Sequence, residues 1–271
     1  MEINIDLYNS SEITIHRMAQ FMALTGANLI DKKPDDSHTN LAWEATEGLL
    51  SGRYFIINGQ KRRLVFKPDT FQLIFQDNQN NNFAVFNAKN RSYNDSSEWW
   101  QQSIVSFGYL EKLTTALHYD LPEQAAYSSS GIKATDYASI KLWTAIRTQA
   151  NDALTYLNDI VGIDSEIRIW PHHFDTGVYY PLKSDNEGVT CSVGAGLAIA
   201  DSMIPEPYYY IYGWSKDGEV DLSKAPGLTH GRWMRKDWKG AVLPAFESRE
   251  KVNGFFMETF GFLKEEIMGT K

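Results

Sequence analysis

A chain of 271 residues with 43% apolar and 22% charged residues has the composition of a folded globular protein, which excludes a disordered polymer. No run of ~18 apolar residues is present, so no bilayer-spanning helix is expected. With 34 acidic against 26 basic residues the net charge is −8, the wrong sign for a nucleic-acid partner, and the single cysteine, Cys191, cannot form an intrachain disulfide.

The N-terminal stretch MEINIDLYNS lacks a basic segment followed by an apolar one, so it does not read as a secretory signal and a cytoplasmic location is expected. From Ser10 onward, Ile15, Met18, Met22 and Leu29 recur at helical spacing and predict an amphipathic helix that stops before Pro34. Between Leu41 and Ala88 the period falls to two. The runs RYFII, RRLVF, FQLIF and FAVFN, separated by Asn58-Gly59, Pro68-Asp69 and an Asn-rich tract, predict an antiparallel meander. The basic run Gln60 to Arg63 is expected to be a solvated hairpin face.

Ser96 or Ser97 is placed to cap a helix carrying Trp100, Ile104, Phe107, Leu110, Leu113 and Leu117, ending before Pro122. Thr135 is placed to cap the longest helix, with Trp143, Ile146, Ala150, Leu154, Leu157 and Val161 on one face and Gly162 just past its end. Strand patterns then return in EIRIW, GVYY, TCSVGAGLAI, YYYIYGW and GAVLP, before a last helix bearing Val252, Phe255, Phe256, Phe260 and Leu263. The expected fold is α+β, with largely antiparallel sheet and flanking amphipathic helices, over one domain spanning 1–271. If the chain divides into two packed lobes, the Ser-rich loop near 127–133 is the boundary.

The stretch Ile169 to Gly177, IWPHHFDTG, concentrates polar and aromatic groups. On an unbroken strand His173 and Asp175 project to one face and His172 and Phe174 to the other. An imidazole beside a carboxylate suits a polar core cluster, a ligand pocket, or two ligands of a divalent metal, whose third would come from Glu206, Asp201 or His230. His16, His38 and His118 lack such surroundings and are expected on the surface or on a helix face. In IPEPYYYIYGW, the prolines flanking Glu206 favour an extended approach, after which Tyr208 and Tyr210 share one face and Tyr209 and Ile211 the other. Phenols on a half-buried face need partners and can line a pocket. Around LTHGRWMRKDWKGAVLP, cations alternate with indoles, which suits either anion binding or an edge strand with inward tryptophans. Gly194 and Gly196 form only a fragment of a dinucleotide fingerprint, and no nucleophile elbow or phosphate loop is present.

The pattern of Ile169 to Asp175, then Gly194 to Gly196, Pro205 to Trp214 and Gly240 to Pro244 resembles the DUF5996-like family of uncharacterised bacterial proteins, best over residues 165–246. The resemblance implies no particular reaction, so no catalytic role carries over from it. It favours His173 and Asp175 over His172, and the departure from the family pattern at Ala198 and Ile199 tells against a role for Asp201.

These readings converge on a small-molecule binding protein whose pocket is lined by His173, Asp175, Glu206 and Tyr208. The rivals are a metal-dependent hydrolase using His173, Asp175 and Glu206 or His230, and a structural or interaction protein whose aromatics build core and interface.

Overall fold

Helix α1 (Ile5–Leu29) begins earlier than the apolar spacing suggested, because Asn4 accepts from the Leu7 backbone N–H and caps it. Every residue from Met18 to Gly26 is buried, so α1 is a central helix rather than one with a solvated face. The computed structural model describes residues 3–121 and 136–269. The chain divides into two units, 1–145 with 169–174, and 146–168 with 175–271. This division falls inside a helix, α3 (Tyr137–Val161), whereas the segment 127–133 and the cap expected at Thr135 lie outside the described residues. In the described part, Asp136 accepts from the Ser139 N–H at 2.9 Å, and Gly162 ends α3 at φ 72° as its position predicted.

The first unit carries β1 (Ala42–Glu44), β2 (Leu49–Ser51), β3 (Phe55–Ile57), β4 (Gln60–Lys67), β5 (Gln72–Asp77) and β6 (Asn82–Asn87). They form the expected antiparallel sheet in the order β1-β2-β4-β5-β6, with β3 hairpinned onto β4. Asn58 and Gly59 both adopt positive φ, 51° and 73°, which matches the twist of a two-residue hairpin. Arg63 departs from the solvated reading of its run: it is buried, ion-paired with Glu44 and hydrogen-bonded to Gln76 and Asn80. Helix α2 (Tyr93–Ser106) starts at a capping box between Ser92 and Asp95 and stops well short of the predicted end. Gly108 turns left-handed at φ 95°, after which Thr114 exchanges hydrogen bonds with the Asn28 side chain, leaving Leu110 exposed.

Three polar side chains of α1, Glu12, His16 and Gln20, lie one helical turn apart and are all buried. Burying such groups is costly without partners, and each has one. The Trp143 indole donates to Glu12 at 3.0 Å, Tyr119 donates to Gln20 at 2.7 Å, and both His16 Nε2 (2.7 Å) and Gln20 (2.9 Å) donate to the Pro171 carbonyl. His16 thus lies on a helix face, as one of the expected alternatives had it, but on the buried one, whereas the expectation for His38 is corrected: it lies outside the helices, is buried and accepts from the Lys33 N–H. Phe174 is sandwiched between the His16 ring at 4.6 Å and the Trp143 ring at 6.0 Å, and holds a positive φ of 58°. Ile169, on β7 (Arg168–Trp170), exchanges backbone bonds with Leu41 of the same unit.

The second unit holds β8 (Asp175–Asp185), β9 (Gly188–Ala198), β10 (Tyr208–Ser215), β11 (Arg232–Met234) and β12 (Gly240–Pro244), antiparallel in the order β11-β12-β10-β9-β8. Helix α4 (Arg249–Met268) buries Val252, Phe255, Phe256, Phe260 and Leu263, the predicted stripe, against β9, β10 and β12. The α+β class with antiparallel sheets is thus observed. Cys191 is a buried strand residue on β9 beside Met268. Among the described residues no helix is long and apolar enough to cross a membrane.

The ring sandwich and the left-handed backbone at Phe174 are mutually dependent, since a positive φ in a bulky residue persists only where its surroundings hold it. Phe174→Ala is expected to cost about 3–5 kcal/mol in urea denaturation, as large aromatic truncations in cores do. A loss below about 1 kcal/mol would show that the sandwich does not hold the turn.

Candidate functional site

The strand β10 separates its tyrosines by face, as alternation requires. Tyr209 points inward with Ile211, packs edge-on against Phe256 and accepts a 3.1 Å bond from Gln149 of α3. On the same inner face Arg147 donates to Thr176 at 2.7 Å and Tyr180 donates to Asn158 at 2.7 Å. This side is the core of the second unit.

The opposite face carries Tyr208, Tyr210 and Tyr212, paired in register with Ala198, Gly196 and Gly194 of β9. Gly196 in turn faces Gly177 of β8, so no side chains stand between β10 and the start of β8 along that rung. The Tyr210 ring crosses this gap, and its hydroxyl donates to Asp175 Oδ2 at 2.6 Å. A Cβ at Gly196 would collide with the Thr176 carbonyl oxygen and approach the Tyr210 hydroxyl to 2.8 Å; one at Gly194 would reach the Tyr212 ring at 2.6 Å. Glycine is needed here for close approach, not for a phosphate. The Tyr210 and Tyr212 rings lie within 23° of parallel, 6.3 Å apart, and Trp238 sits against Tyr212 at 6.3 Å. Tyr179 and Trp214 extend the face, 48% and 44% exposed.

Burial raises the phenol pKa of every tyrosine on β10. For Tyr210 the carboxylate of Asp175 adds to the desolvation and holds the phenol well above its ordinary value. Tyr212 is raised first by burial and then by Asp175. Tyr208 is raised by burial and by its 2.7 Å bond to Asp201. Inward-facing Tyr209 is pushed up to about 12 by burial, with Gln149 and Arg147 opposing. All four phenols are therefore neutral at physiological pH. The other oxygen of Asp175, the Tyr212 hydroxyl and the Trp238 indole N–H make no hydrogen bond among the described residues, although Asp175, Tyr212 and Trp238 are only half-buried.

The predicted site residues fare unequally. Residues 171–174 form a turn closed by a 2.7 Å bond from the Phe174 N–H to the Trp170 carbonyl, so the unbroken strand that would align His173 with Asp175 does not exist. His173 is an exposed residue of the first unit whose ring contact is with His172, at 4.5 Å; Asp175 opens β8 in the second. Asp175 and Tyr208 do lie on the tyrosine face. Glu206 is half-buried between its prolines with no hydrogen bond among the described residues, and His230 is half-buried in a bend before β11. Asp201 is engaged by its own loop, accepting from the Met203 and Ile204 N–H groups as well as from Tyr208. Among the described residues no three His, Cys, Asp or Glu side chains converge to hold a metal ion, so His173, Asp175, Glu206 and His230 do not form the metal set considered from sequence. Of the cation–indole stretch, Trp233 is buried on β11 and donates to the Pro226 carbonyl, while Trp238 joins the tyrosine face.

Sequence reasoning missed Tyr212, the place of Trp238 beside it and the purpose of the glycines. The signal was a period-two tyrosine run matched to Gly-Ala-Gly on another strand, and it becomes readable only once the register is known.

Gly196→Ala is expected to lower stability by about 1–3 kcal/mol, as overpacking does, and to break the Tyr210–Asp175 bond. Chemical denaturation measures the first effect, and an unaltered midpoint would refute the close approach. Since ordinary phenols titrate near pH 10, the folded state's raised values contribute stability that is complete below about pH 10 and lost as pH rises through about 12. Phenolate absorbance from these tyrosines should thus grow together with loss of the near-ultraviolet circular dichroism. Their full ionisation in a still-folded protein would contradict it.

No family model matches the chain, and no match is found among the curated proteins or the solved structures.

Proposed function

We propose that this chain binds a small molecule on the tyrosine face of the second unit, with Asp175 as its charged anchor and Tyr208, Tyr210 and Tyr212 as its floor. The observation that carries this reading is the half-used carboxylate. Tyr210 fixes one oxygen of Asp175 at 2.6 Å, while the other has no partner among the described residues and stands beside half-exposed aromatic rings. A pre-oriented acceptor at the edge of an apolar surface is how binding sites combine affinity with orientation. Glu206 borders the face in sequence, two residues before Tyr208, and belongs to the proposal as a rim residue. His173 does not enter it.

Membership of the DUF5996-like family and a cytoplasmic location are part of the same proposal. The family resemblance is supported by motif order, and three of its four elements fall on β9, on the approach to and length of β10, and on β12. The location rests on the lone buried cysteine.

A thermal-shift screen of a metabolite library on the full chain tests the binding. A ligand at a hundred times its Kd adds about 2.7 kcal/mol of stability, and that shift should fall away in Asp175→Asn and in Tyr212→Ala. A library in which no compound's stabilisation depends on either residue would refute the reading.

A further inference from the structure

The geometry points to a neutral oligosaccharide as the ligand of this face, an inference that rests on the small-molecule reading above. Three features select it. The first is shape: Tyr212, half-buried over Gly194 of β9, shares one face with exposed Tyr179 and Trp214, and the three offer rings along a surface instead of walls around a point. A cation held by aromatic rings gains most when several rings enclose and desolvate it, and an exposed one-sided contact gives only about 0.5–1 kcal/mol. A pyranose instead lays a flat patch of C–H groups on such rings and points its hydroxyls outward around the edge.

The second is the polar complement at that edge. The open oxygen of Asp175 accepts, the Trp238 indole N–H donates, and the Tyr212 hydroxyl does both; none has a hydrogen-bond partner among the described residues. Sugar hydroxyls are donors and acceptors at once, so they match this mixed set, whereas an ammonium group would leave the indole donor unanswered.

The third is charge. Asp175 repels phosphate and carboxylate groups, and two lysines next to the face in sequence are occupied: Lys216 is paired with Asp185 and Glu187, and Lys239 with Glu219. The exposed rings are Tyr179 on β8 and Trp214 on β10, two strands or roughly 10 Å apart, with half-buried Tyr212 on the same face. That length exceeds one sugar ring, which favours an oligomer over a monosaccharide.

The test titrates the full chain with cellohexaose, maltohexaose and chitohexaose, and in separate arms with choline and glucose 6-phosphate, reading tryptophan fluorescence and heat. At least one neutral hexasaccharide is expected to bind, with choline and the phosphate inert. Tyr212→Ala should weaken it by about tenfold or more, the scale of a lost stacking contact, and Asp175→Asn by a similar factor. If Tyr212→Ala does not fold by circular dichroism, Trp214→Ala, at an exposed position, replaces it. Binding of choline or of glucose 6-phosphate that is lost in the same variants overturns the saccharide while leaving a small-molecule site in place. Saccharide binding indifferent to Tyr212, Trp214 and Asp175, or no saccharide binding, overturns the inference; the library screen decides the broader reading independently.

Discussion

The second unit is organised around missing atoms. Because Gly177 and Gly196 have no Cβ, and Gly194 none beneath Tyr212, the tyrosines of β10 can lean across β9 instead of standing upright. Everything distinctive about the face of Tyr208, Tyr210 and Tyr212 follows from that constraint. Tyr210 reaches Asp175, one carboxylate oxygen is fixed and the other left open, and Tyr208 and Tyr210 pack with Ile204 and Val242 while Tyr212 and Trp214 stay partly exposed. On the opposite face the same strands behave conventionally, with Tyr180, Tyr209 and Ile211 buried and the phenols bonded to α3. One sheet thus presents a satisfied core on one side and, on the other, a smaller cluster of Ile204, Tyr208 and Val242 bordered by the open oxygen of Asp175.

The first unit solves a different problem. Its central helix carries a carboxylate, an imidazole and an amide one turn apart in a setting where water is excluded, and stability there requires that each be answered. Two of the three converge on a single carbonyl, that of Pro171, and the imidazole also stacks on Phe174. Because a carbonyl only accepts, His16 Nε2 carries the proton in this arrangement. The turn at 171–174 is therefore held by specific groups rather than by generic packing, and this is why Phe174 sustains a backbone conformation that bulky residues avoid.

The same turn explains why His173 and Asp175 are not aligned as an unbroken strand would align them. Strand alternation placed His173 with Asp175, but alternation holds only while the backbone stays extended, and a left-handed residue between them ends it. The acid survived as a candidate and the imidazole did not. Its partner proved to be a phenol from two strands away, which donates a hydrogen bond without competing for the proton.

Much of the fold was legible in the residues alone, because its signals are local: the Asn58-Gly59 hairpin, the Gly162 helix stop, the α4 stripe and the period-two runs each depend on a few neighbouring side chains. The face assignment of Tyr208 and Tyr210 was local too. Helix α2 was drawn too long because its end is fixed by Gly108 and by bonds to Asn28, far back in the chain. Only the tertiary structure could decide that Gly196 lies under Tyr210, that Asp175 lies within reach of it, and that His16 is buried. Those facts depend on register and on which helix fills which space, and residues separated by dozens of positions carry no mark of their pairing until the chain has folded.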